Sequence, residues 1–141
     1  MDPRRILIVA NQTAGGAHLK ELVRERMTEA ASVFTLLVPA TPGADHLTWT
    51  EGEAKAIATE RLNEALTSLR GIGAEVEGVV GDPRPLSAIG DVLLERPHDE
   101  IVLSTLPIGT SRWLKQDLPH RVERQFGLPV THIVSEPVTK P

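Results

Sequence analysis

Ile6-Leu7-Ile8-Val9-Ala10, closed by the polar turn Asn11-Gln12-Thr13-Ala14-Gly15-Gly16, is the stretch from which the architecture follows. An unbroken apolar run of this length describes a strand covered on both faces, because a strand with one wet face alternates apolar and polar residues. A helix from about Ala17 to Ala30 comes next, with Leu19, Leu22, Val23 and Met27 on one stripe. Ser32 to Val38 reads as a second strand, and Pro39 to Leu47 as a loop rich in proline and glycine. The pattern is therefore strand, helix, strand from the outset.

It continues to the end of the chain. Thr50 followed by Glu53 has the spacing of a capping box. Ala54, Ile57, Ala58, Leu62, Ala65, Leu66 and Leu69 then repeat at helical intervals, and Gly71 and Gly73 supply the stop. Ala74 to Val80 is a third strand. Asp82 is read as the cap of a third helix with Pro83 at its first position, Leu86, Ile89, Leu93 and Leu94 as its apolar stripe and Pro97 as its end. Glu100 to Ser104 is the fourth strand. Thr105 to Gln116 is read as loop and turn, Asp117 as the cap of a last helix carrying Leu118, Val122 and Phe126, and Pro129 to Val134 as the fifth strand. Strands joined through helices of this length need crossover connections, which make the sheet parallel and place helices on both faces. The expected organisation is one three-layer α/β/α domain over residues 1–135, with 136–141 as a flexible tail.

The chain has 141 residues, 40% of them apolar and 24% charged. A domain of this size buries roughly 68–70% of its unfolded surface and needs no disulfide or metal to hold it. There is no cysteine, which removes thiol chemistry and suits a reducing, cytoplasmic setting. No apolar run approaches the ~20 residues that span a bilayer. A net charge of −4, aromatics at 3% and no tyrosine argue against a nucleic-acid surface, which needs basic faces and stacking platforms.

In an open parallel sheet a ligand lies beyond the carboxyl ends of the strands, where the strand order changes direction. With the first and fourth strands as central neighbours, that crevice is walled by Ala10, Asn11, Gln12 and Thr13 and by the stretch from Ser104 to Arg112. Ser104, Thr105, Thr110 and Ser111 offer hydroxyls, Gly109 an open backbone and Arg112 a charge, a set suited to a small anion.

At these residues the chain resembles the universal stress protein family. Arg5 to Asn11 is similar to the family's first strand, which typically ends in aspartate where this chain has Asn11. Phe34 to Val38 resembles the second strand, Gly81-Asp82-Pro83 the third loop, Asp99 to Ser104 the fourth strand, and Arg121 to Arg124 with Pro129-Val130 the last helix and strand. The resemblance implies the strand order 3-2-1-4-5, a stress-response role, and Val38 and Pro39 as further crevice residues. Family members that bind ATP carry Gly-x2-Gly-x9-Gly-[Ser/Thr] after strand four. Laid on this chain, the first glycine becomes Ser104, the second Pro107, and the last pair falls at Gln116-Asp117 or Asp117-Leu118. Proline cannot donate to a phosphate, and a carboxylate beside a triphosphate repels it. These departures favour a non-catalytic regulatory domain with a small-anion crevice; ATP or another adenine nucleotide, with slow hydrolysis as a switch, is the alternative.

The remaining residues take plain readings. Gly15-Gly16 belongs to neither a Gly-x-Gly-x-x-Gly nor a P-loop pattern and reads as a strand–helix turn. His18, His46, His98, His120 and His132 lack the spacing of metal ligands. The hydroxyls have no visible activating base. Trp113 reads as a lid on the crevice or an anchor in the core; Trp49 is assigned to neither cleft nor partner. In the implied order strand five borders the sheet. Val130, His132, Ile133 and Val134 would then form an edge that pairs with a second copy, as strands of this kind invite.

Overall fold

The continuous apolar strands are the centre of the molecule. A computed structural model describes residues 2–14, 16–40, 50–107 and 112–135. In chain order the elements are β1 (Arg4–Val9), α1 (Ala17–Glu29), β2 (Ser32–Pro39), α2 (Glu51–Gly71), β3 (Val76–Gly81), α3 (Pro85–Glu95), β4 (Glu100–Thr105), α4 (Arg112–Lys115), α5 (Leu118–Phe126) and β5 (Val130–Val134). The strands form one parallel sheet in the order β3-β2-β1-β4-β5. β1 is flanked by β2 and β4, with Ile6 opposite Phe34 on one side and Glu100 on the other. Its apolar run is completely buried, as the absence of alternation requires.

The period-two geometry of the strands divides the core into two layers. Ile6, Ile8, Phe34, Leu36 and Val102 face α1 and α2, where Leu19, Val23, Ala58, Leu62 and Leu69 meet them. Leu7, Val9, Leu37, Ile101 and Leu103 face the opposite layer, built from Ala88, Ile89, Val92, Leu118 and Val122. Trp113, on α4, packs into this second layer and is a core anchor. Trp49 lies outside the described residues. No helix among the described residues is long and apolar enough to cross a membrane.

Helix boundaries follow local chemistry, in two places against expectation. Thr50 caps α2 as its spacing predicts, its hydroxyl accepting from the Glu53 amide at 3.1 Å. α2 closes in a Schellman arrangement: Ala74 N–H donates to Leu69 O, Gly73 N–H donates to Arg70 O, and Gly73 takes φ 92°. Asp82, by contrast, caps no helix. It accepts from the backbone N–H of Arg84 at 2.8 Å and from the Arg84 guanidinium, forming an Asx turn, and α3 begins two residues later than expected, at Pro85. Asp117 does precede α5, but with left-handed backbone (φ 57°), and its carboxylate accepts from His120 Nδ1 at 2.8 Å instead of capping. The stretch read as loop before it contains the single-turn α4.

At the amino end of the sheet a buried ionic cluster ties three elements together. Arg26 of α1 makes a two-pronged contact with Glu100 of β4, at 3.0 and 2.8 Å, and Thr131 of β5 donates to the same carboxylate at 2.6 Å. Burial pushes the Glu100 carboxyl up, but hydrogen bonds from Arg26 and Thr131 and the Arg26 charge outweigh it and hold the group below its ordinary value.

Candidate functional site

β1 runs straight into a tight turn, with Asn11 O accepting from Ala14 N–H at 3.1 Å and Thr13 O accepting from Gly16 N–H at 3.1 Å. The turn brings Thr13 against the end of β4, where its hydroxyl and that of Ser104 share a hydrogen bond of 2.5 Å. The two walls inferred for the crevice therefore meet at its floor. Both hydroxyls are buried, and each is the other's partner.

Asn11 stands beside this pair and organises the second side of the crevice. Its Nδ2 donates to Pro39 O at 2.7 Å, joining the ends of β1 and β2. Its Oδ1 accepts from Nη1 of Arg61, which reaches down from α2. The guanidinium is half-buried, and burial lowers its pKa, with the Glu60 charge opposing. Among the described residues no carboxylate forms an ion pair with Arg61.

No local motif marks Arg61. It follows Ala54, Ala58 at intervals of four and three and precedes Ala65 by four, so it occupies a place on the buried stripe of α2. A charge at a stripe position is the signal that marks it.

The other candidates separate by place. Ala10 and Val38 have no exposed surface and belong to the core under α1 and α2; Pro39 is buried above them. Gln12 is partly exposed in the turn. Thr105 points to the opposite layer, where its hydroxyl pairs with Nε2 of His132 at 2.7 Å. Leu118 is buried in that layer too, while Asp117 is exposed with His120. Pro107 is partly buried after β4. Gly109, Thr110 and Ser111 lie outside the described residues, as do the Arg112 side chain and the tail 136–141. Among the described residues no group of three His, Asp or Glu could hold a metal ion.

No protein-family model and no curated protein matches this sequence. Solved structures do. A universal stress protein from Archaeoglobus fulgidus superposes with a TM-score of 0.66 at 19% identity, over 94% of this chain and 99% of that one. A universal stress protein in complex with cAMP superposes with a TM-score of 0.57 at 17% identity, over 92% of this chain and 96% of that one. This chain has the universal stress protein fold. The shared fold spans nearly the full length of both proteins, so the β1–β4 crevice is the same topological position in each. Among the described residues, this chain places the Thr13 and Ser104 hydroxyls, the Asn11 amide and the Arg61 guanidinium there.

Proposed function

We propose that this chain is a universal-stress-protein-like regulatory domain that acts by binding a small anionic ligand, as a homodimer joined through β5, and not by catalysis. The observation that carries the reading is the crevice floor: Thr13 and Ser104 hold each other at 2.5 Å, and Asn11 and Arg61 hold each other beside them. Hydroxyl, amide and guanidinium groups keep one protonation state through the neutral range, which suits recognition and not proton transfer. Dimerisation is supported by the position of β5 at the sheet border, with Val134 46% exposed. An apolar border strand pairs readily with its own copy about a two-fold axis.

A second reading, an adenine-nucleotide switch, is favoured by the likeness to the structure that holds cAMP. Equilibrium dialysis with ATP and with cAMP separates the two. Retention of either nucleotide at micromolar concentration selects the switch; failure of both selects the smaller-anion reading. Light scattering on the eluting protein tests the dimer. A wild-type monomer throughout the micromolar range removes that part of the proposal.

A further inference from the structure

Arg26 and Arg61 are both part-buried between helix and sheet, and they are treated differently. Arg26 is neutralised by the two-pronged contact with Glu100. Arg61 is half-buried against the neutral amide of Asn11, to which one of its guanidinium nitrogens donates. The Glu60 charge offsets only part of that burial, and among the described residues Arg61 forms no ion pair; a partly desolvated cation of this kind is costly, and the planar fork of arginine matches the paired oxygens of a phosphate or carboxylate. Asn11 is two residues from Thr13 in one tight turn, so the guanidinium and the Thr13–Ser104 pair are held by the same turn. Ser104 shares the strand face of Val102, which looks toward the layer that holds α2.

We propose that Arg61, seated on Asn11, is an oxyanion-binding residue, placing the charged group of a small phosphate- or carboxylate-bearing ligand at the α2 side of the crevice. The inference rests on the anion-crevice reading above and sharpens it by naming the residue and the end of the crevice. It requires no contribution from the segment after β4. Asn11 serves as the positioning residue: it orients the guanidinium through Oδ1 while Nδ2 is held by Pro39 O. An aspartate in its place would neutralise Arg61 from within and close the site.

The experiment uses the full chain and calorimetric titration with inorganic phosphate, succinate, AMP, cAMP, ATP and adenosine. Wild type is expected to bind at least one of phosphate, succinate and AMP, and to bind adenosine at least about tenfold more weakly than that oxyanion, as a charge-assisted contact implies. Phosphate against succinate tells which oxyanion is preferred. Arg61→Gln should weaken the oxyanion at least about tenfold, Arg61→Lys less, and Asn11→Asp should abolish binding while raising the thermal midpoint. That last pairing, lost binding with gained stability, separates a vacated site from a damaged fold. Binding of AMP or cAMP that is unchanged in Arg61→Gln overturns the inference and leaves the nucleotide switch intact. Phosphate or succinate binding that depends on Arg61, without affinity for ATP or cAMP, supports the inference while removing the switch. No heat from any oxyanion with wild type overturns it outright.

Discussion

Arg26 and Arg61 carry the same charge toward the sheet, and what meets it differs: a carboxylate for Arg26, an amide for Arg61. Glu100 completes Arg26, so removing the acid strands a buried cation. Glu100→Ala is expected to cost about 3 kcal/mol, in the range for breaking a buried pair, whereas replacing both partners by Met and Leu should cost much less. Urea unfolding of the three proteins checks this; equal losses would show the pair to be ordinary packing. Histidine supplies a pH effect at the same scale. Arg96 O can only accept, so the His98 contact at 2.9 Å places the proton on Nδ1, and Nε2 accepts from Thr35 at 3.0 Å. Burial lowers the His98 pKa; the contact with Arg96 O opposes this, and the Arg5 and Arg96 charges add to it. His132 is lowered by burial too. A histidine depressed below its ordinary value of 6.5 is harder to protonate folded than unfolded. Its stabilising contribution is present above that pH and lost as the pH falls through the folded value. Stability should therefore decline below about pH 6.5, and His98→Gln should flatten part of that slope in denaturation midpoints taken from pH 7.5 to 5. The loss of Glu100 ionisation comes later, below its ordinary 4.5.

At the scale of elements, most of the chain was legible because helix and strand periods are local properties. Thr50 with Glu53 located the start of α2, and the double glycine located its end. The failures were equally local. Asp82-Pro83 has the residue types of a cap followed by a first turn, but the short Asp82 side chain was taken by Arg84 N–H, and a second proline at 85 offered a better start. Proline at the first helical positions loses no hydrogen bond, so two prolines two residues apart are equivalent from sequence alone. α2 also shows how closely a helix can lie on the sheet. A Cβ at Gly78 would stand 2.8 Å from the Cδ1 atoms of Leu62 and Leu66. Gly78→Val is expected to lower stability by about 1–3 kcal/mol through overpacking. A neutral outcome in urea titration would mean that the leucines move aside freely.

At the scale of the molecule, the proposed dimer turns on the border strand. Ile133 packs against the α1–α2 core, whereas Val134 is exposed. Substituting Ile133 would test folding, so Val134→Asp is the appropriate probe of a β5 dimer. It is expected to convert dimer to monomer in light scattering with an unchanged circular dichroism spectrum. An unaltered mass would place any dimer contact elsewhere.

What the amino-acid order determined by itself was the sheet: continuous apolar strands must be covered on both sides, helical crossovers must run parallel, and both rules act within a few dozen residues. It also brought Asn11, Thr13 and Ser104 to the same crevice, because a strand's carboxyl end is known once the strand is. What only the tertiary structure decided was which side chains fill that crevice and how they are paired. Arg61 lies fifty residues from Asn11, and nothing in the local pattern says that α2 crosses above the end of β1 at that turn of the helix. Contacts of that separation depend on how layers pack, and packing is a property of the assembled chain.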